Sequence, residues 1–281
     1  MTNADTNTWI LGLDLGDRSV GAVRFAHWLA GPDHTIAVHV LEMWSRPYIR
    51  TDAISAVHNV VKRLSHELHI PQPARVTVLD ADSAEEGLAL AAEGAAGLVI
   101  GRAAGLRDDV EWRLGHVARR VLRQLPGPVI VVPRDLQAIA PGPILLATDC
   151  QAPSRAAASF ARDLAAKHGR ELVVMHVGET RYSELIDDLE PRWQAARVSH
   201  REEIERALQD WMTEHKLGAH RHHLVFGSTV DEIQTFAAAT QAAVIVVGSR
   251  RLGTVGRVFL GSTASVLSGR AACPVAVIPP N

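Results

Sequence analysis

The chain has 281 residues, 47% of them apolar and 21% charged, an ordinary globular composition that is long for one core and comfortable for two. A formal net charge of −2 gives no electrostatic reason to expect nucleic acid or an anionic membrane surface as partner. Two cysteines, Cys150 and Cys273, cannot build a disulfide framework, and no apolar run approaches the ~18 residues needed to cross a bilayer. The opening "MTNADTNT" carries no basic segment followed by an apolar one, so the expectation is a cytoplasmic protein.

In chain order, the first strong signal is "WILGLDLGDRSVGAVRFAHWLAG": an apolar run ending at Asp14, a polar turn, then a helical pattern. The strand-like "TIAVHVLEM" follows with His39, then "GLVIG" ending at Gly101, then "PVIVVP" from Pro128. Arg119, Arg120 and Arg123 sit at helical spacing and read as a solvated face.

The same succession then recurs. "PILLATDCQAPSRAAASFARDLAAKHG" carries Asp149, "ELVVMHVGE" carries His176, "AVIVVG" ends at Gly248, and "PVAVIP" starts at Pro274. Matched positions differ by 135 at the Asp, 137 at the His and 146 to 147 from the Gly onward, which requires an insertion of about ten residues between Val177 and Leu224. A unit this long is a domain, so the chain is divided into residues 1–138 and 139–281.

Within the second half, strands are expected near 143–149, 171–177, 221–226, 243–248 and 274–279, and helices near 153–168, 191–216, 229–240 and 261–271. Ala157, Phe160, Ala161, Leu164 and Ala165 recur as one apolar helical stripe, which Gly169 should stop. The strands are continuously apolar, as parallel strands covered on both faces are. Five strands alternating with helices give a doubly wound α/β domain, twice over, with strand order 3-2-1-4-5. The short linker "RDLQAIAPGP" suits a compact pseudo-dimer, and the last strands of the two halves should face each other or pair with a second chain.

Ligands of such sheets bind beyond the strand C-termini, where crossovers diverge. That places Asp149, the backbone near Val177, Gly248, and the Gly261-Ser262-Thr263 opening of the next helix around one crevice. A helix N-terminus there would favour an anion, although Gly-Ser-Thr also reads as a plain N-cap.

The pattern G-x2-G-x9-G-[ST], after a strand ending in Gly and before a helix, resembles the nucleotide-binding signature of universal stress proteins. The chain is identified as a tandem member of that family, the resemblance covering about residues 8–134 and 142–280. It implies an adenine nucleotide alpha hydrolase-like fold and an adenine nucleotide as ligand: ATP, with AMP or ADP as alternatives and magnesium left open. By that resemblance Asp149 meets the ribose or adenine side and backbone near Val177 the adenine. Gly248, Arg250, Gly261, Ser262 and Thr263 hold ribose and phosphates, and the Gly-containing turn in "FGSTVDEI" precedes the third helix. Arg251 stands where the second glycine of the signature belongs. A positive φ there would cost roughly 1–2 kcal/mol, partly offset if the guanidinium faces phosphate.

The first half departs further. It reads Gly101, Gly105 and Gly115, then His116 where Ser or Thr belongs, with Asp108, Asp109 and Glu111 between them. The expectation is that this half binds no ATP and serves packing.

Remaining candidates read as structural. His215, His220, His222 and His223 sit at a strand edge that sends alternate residues to opposite faces, without zinc-finger spacing. His39 and His176 are expected to be hydrogen-bonded core histidines, and Cys150 a small buried thiol. No phosphate-loop, G-x-G-x-x-G or nucleophile-elbow motif is present, and no catalytic residue is assigned. The expected function is a nucleotide-binding stress-response regulator, non-enzymatic or weakly hydrolysing, with an unidentified protein partner. The alternative is a ligand-free dimeric scaffold.

Overall fold

Strands alternate with helices from the outset. β1 (Trp9–Gly12), α1 (Val20–Ala30), β2 (Thr35–Glu42), α2 (Arg46–Leu68), β3 (Arg75–Ala81), α3 (Ala84–Ala92), β4 (Gly97–Gly101), α4 (His116–Gln124) and β5 (Val129–Val132) form the first half. β6 (Ile144–Ala147), α5 (Arg155–His168), β7 (Leu172–Gly178), α6 (Pro191–Glu214), β8 (Arg221–Phe226), α7 (Thr229–Ala239), β9 (Val244–Gly248), α8 (Ser262–Arg270) and β12 (Val275–Ile278) form the second. The structure is a computed structural model describing residues 7–14, 19–42, 46–102, 114–178, 191–251, 258–259 and 261–280. Asp108, Asp109, Glu111, Gly105, Gly253 and Gly256 lie outside them, as do the side chains of Arg250 and Arg251.

All ten of these strands belong to one sheet, in the order β3-β2-β1-β4-β5-β12-β9-β6-β7-β8. Each half thus has the expected 3-2-1-4-5 order of parallel strands. The halves join where β12 runs antiparallel to β5, with Ala276 opposite Ile130 and Val277 opposite Val129. The two Pro-flanked strands therefore face each other within the chain. Each would otherwise expose a row of unpaired backbone groups.

A second, two-stranded sheet is absent from the sequence reading. β10 (Arg250–Arg251) pairs antiparallel with β11 (Val258–Phe259), Arg250 opposite Phe259. β11 lies against α4, so this hairpin of the second half is braced on the first.

The helices form for local reasons. Ser83 caps α3 by accepting from the Glu86 N–H at 3.3 Å, and Glu85 and Glu86 favour the positive end of the helix dipole. α5 stops where expected: Gly169 adopts φ 58°, and the Arg170 N–H returns to the Ala165 carbonyl at 2.9 Å. Of the predicted stripe, Ala157, Ala161, Leu164 and Ala165 are buried. Phe160 instead meets Trp9 of the other half edge-on, ring centres 6.2 Å apart. Arg119, Arg120 and Arg123 are exposed on α4, as expected, with Arg120 also paired to the buried Glu85 carboxylate.

On each face of the sheet one apolar core runs through both halves without a break. Polar contacts cross the junction as well. Lys167 donates to the Leu29 carbonyl at 2.7 Å, and His168 stacks on Trp28 with ring centres 3.9 Å apart. On the opposite face the buried Arg102 donates from Nη1 to the Ala271 carbonyl at the end of α8, 2.9 Å away. Arg102 follows Gly101, the last residue of β4, so a first-half strand end is tied to a second-half helix end.

Candidate functional site

β6 is hydrogen-bonded to β7 on one side and β9 on the other. The connection from β6 leaves through α5 and that from β9 through α8, so a crevice opens at their C-terminal ends. A cavity of about 340 Å³ occupies it, the size at which small-molecule sites begin. Asp149, Val177, Gly248, Gly261, Ser262 and Thr263 all line it. Six of the eight residues singled out in the sequence therefore meet at one place. The other two, Arg250 and Arg251, continue the backbone from Gly248 into β10.

Asp149 is held by its own turn. Its Oδ1 accepts from Ser154 Oγ at 2.7 Å and from the Gln151 N–H at 3.0 Å. Asp14 repeats this in the first half, accepting from Ser19 Oγ at 3.1 Å. Ser19 and Ser154 follow their aspartates by the same five residues, a D-x4-S repeated in the two halves.

The two strand histidines also match. His39 Nδ1 lies 2.9 Å from the Leu13 carbonyl and His176 Nδ1 2.8 Å from the Thr148 carbonyl. A carbonyl only accepts, so each ring carries its proton on Nδ1 and ties its strand to the residue preceding the aspartate. Their shared structural role is as expected. Cys150, between Asp149 and this histidine, adopts φ 58°. Burial, and then the Asp149 charge, push its thiol up to about 12. It is a small inert thiol at neutral pH.

The N-terminal mouth of α8 lies at the cavity. Its N-cap residue is Gly261, which has no side chain to cap it with. Ser262 and Thr263 lie inside the helix, at its first positions, so the N-cap alternative does not account for them. The first N–H groups of α8 and its positive end border the cavity instead.

The concern about Arg251 also changes. It lies in a paired strand, opposite Val258, and is not among the described positive-φ residues. Strand backbone suits any side chain, so no glycine is required there.

The first half keeps a cavity of about 330 Å³ at the corresponding place, lined by Asp14, Gly101, Gly115 and His116 among others. The histidine tract is no cluster. His222 pairs with Glu205 of α6, while His223 faces the other way and stacks on Phe236, ring centres 4.4 Å apart. No group of three or more His, Cys, Asp or Glu suited to a metal occurs among the described residues. None of their helices is long and apolar enough to cross a membrane.

With this geometry in hand, the sequence profile of the universal stress protein family matches twice, at residues 8–133 and 142–279. The chain belongs to the universal stress protein family. A universal stress protein of Mycolicibacterium smegmatis is 28% identical over 301 residues, covering 97% of both chains. One from Thermus aquaticus is 32% identical over 136 residues, covering 48% of this chain and 96% of its own. The single-domain length of the latter relative is what a doubled family member should match. Among solved structures, a universal stress protein of Archaeoglobus fulgidus superposes with TM-score 0.68 at 20% identity, covering 98% of both chains. One from Pseudomonas aeruginosa superposes with TM-score 0.65, also at 20% identity, covering 97% of this chain and 93% of that one. The family's tandem fold is thus found in this chain from end to end.

Proposed function

We propose that the second-half cavity binds an adenine nucleotide, ATP in the first instance, and that the protein works in the cytoplasm as a stress-response regulator whose output is its bound state. The observation that carries this reading is the pair Gly248 and Gly261. Among the described residues a Cβ on Gly261 would meet nothing within 4 Å, and its φ is −55°. A Cβ on Gly248 would touch Ser154 only at 3.4 Å, an ordinary contact. Neither packing nor backbone conformation asks for glycine at Gly261, and Gly248 faces the cavity with little crowding. A ligand lying close against both does ask for it.

In this reading the purine rests on the apolar wall near Val177, and the ribose hydroxyls donate to Asp149. The polyphosphate takes the N–H groups at the mouth of α8. Ser262 and Thr263 add hydroxyls, and Arg250 and Arg251 add positive charge along the segment after Gly248. Magnesium would travel with the phosphates. Cys150 is inert and His176 is committed to a carbonyl, which favours binding over turnover.

Ligand binding to the folded state alone stabilises it, by about 2.7 kcal/mol at a hundredfold excess over Kd. A partner-binding surface shifts only if the ligand binds one of two native states more tightly than the other. The scaffold alternative keeps the outer strands β3 and β8 and the helix faces, while β5 and β12 pair within the chain. Isothermal titration of the full chain with ATP tests the reading. Micromolar binding, lost in Gly261→Val, is expected; a heat-free titration into the millimolar range contradicts it.

A further inference from the structure

The two cavities correspond position by position, and their differences have one direction. Both keep the aspartate–serine pair, Asp14 with Ser19 and Asp149 with Ser154. Both keep the strand-ending glycine, Gly101 or Gly248, and the helix-capping glycine, Gly115 or Gly261. The hydroxyls around the second cavity are what the first has lost. Thr148, Thr229, Ser262 and Thr263 line the second; Leu13, Ala84, His116 and Val117 take their places in the first. Yet the volume is kept, about 330 against 340 Å³.

We propose that the first-half cavity is a second binding site, for an unphosphorylated purine nucleoside. The ring-and-sugar end of the frame survives: a carboxylate at Asp14 to accept from sugar hydroxyls, and apolar walls at Val40, Leu88 and Ile100 for a flat ring. The phosphate end does not. At the mouth of α4, His116 and Val117 replace the two hydroxyls. A polyphosphate would find neither hydroxyl at this helix mouth, whereas an unphosphorylated ligand keeps every retained contact.

The proposal rests on the nucleotide reading of the second cavity for which end of the ligand faces the aspartate. One set of variants separates the two. In the full chain, Asp149→Asn with Gly261→Val disables the second cavity, and Asp14→Asn disables the first. Ala84→Phe, which fills the first cavity from its rim, replaces Asp14→Asn should that variant melt early by circular dichroism. Isothermal titration of the Asp149→Asn, Gly261→Val chain with adenosine should show one site per chain, with ATP bound at least tenfold more weakly. Adding Asp14→Asn or Ala84→Phe should abolish it. No adenosine binding to that chain, or ATP binding as tight as adenosine, overturns the proposal. The second-cavity reading fails separately, if the Asp14→Asn and Ala84→Phe chains do not bind ATP.

Discussion

Ser154 donates its hydroxyl to Asp149 Oδ1 at 2.7 Å, and five residues after Asp14 the first half repeats the bond with Ser19. The serine fixes the carboxylate's orientation at the edge of the cavity. Ser154→Ala should therefore cost roughly 0.5–1.5 kcal/mol of stability, the net worth of one such bond, and weaken ATP binding several-fold. Urea unfolding and calorimetry on the same variant check both. Ser19→Ala should cost similar stability and leave ATP binding unchanged.

Arg251 is the chain's departure from the family signature, and its strand backbone removes the argument that it is strained. What the proposed reading then asks of it is positive charge on the segment that follows Gly248. Arg251→Gly should weaken ATP binding by about 1 kcal/mol, roughly fivefold, and the loss should shrink as salt is added. Tighter binding to the glycine variant would mean that arginine obstructs the site.

Arg102 is buried, burial disfavours its charge, and its guanidinium donates to the last carbonyl turn of α8 across the junction of the halves. Truncating it leaves that carbonyl short of a charge-assisted partner. Arg102→Ala should destabilise the chain by about 1.5–3 kcal/mol in urea unfolding. A neutral effect would mean that the sheet alone holds the halves together.

His168 stacks on Trp28 at the junction, and burial above all, then the Lys167 charge beside it, hold its pKa below the ordinary 6.5. Below 6.5 the unfolded chain takes up a proton that the folded chain resists, so stability rises with pH across that window. The contribution is complete above pH 6.5 and is lost as pH falls through the folded value. His223, lowered by burial and then Arg221, works in the same direction. His168→Phe keeps a ring on Trp28 and should flatten the decline in melting temperature between pH 7 and 5; an unchanged slope assigns the decline elsewhere.

Burial pushes both thiols up to about 12, with Asp149 adding to the effect at Cys150. Iodoacetamide at pH 8 should leave the native chain unlabelled and modify both cysteines in denaturant. Rapid labelling of Cys150 in the folded protein would reopen it as a reactive group.

Much of this molecule is legible in its sequence because the halves repeat and their strands are covered on both faces. Continuous apolar runs such as "VIVV", set between helical patterns, leave few topologies. The residues lining the second cavity are legible because glycine and hydroxyl stand together at a strand end and a helix mouth. β10 and β11 escape because two-residue strands have no period to read. The Ser19 and Ser154 bonds escape because serine after a turn reads as a cap. Arg102 escapes for a different reason: its partner Ala271 lies 169 residues away, in the other half. Its pseudo-equivalent is Ser249, so the repeat itself gives no hint of an arginine there.

The central claim is that α8 points its first N–H groups at a polyphosphate. A crystal structure of the full chain grown with a non-hydrolysable ATP analogue tests it directly. The account predicts phosphate oxygens within hydrogen-bond distance of the N–H groups at Gly261, Ser262 or Thr263, and the ribose beside Asp149. An analogue bound elsewhere, or a second cavity left empty at saturating concentration, would contradict it.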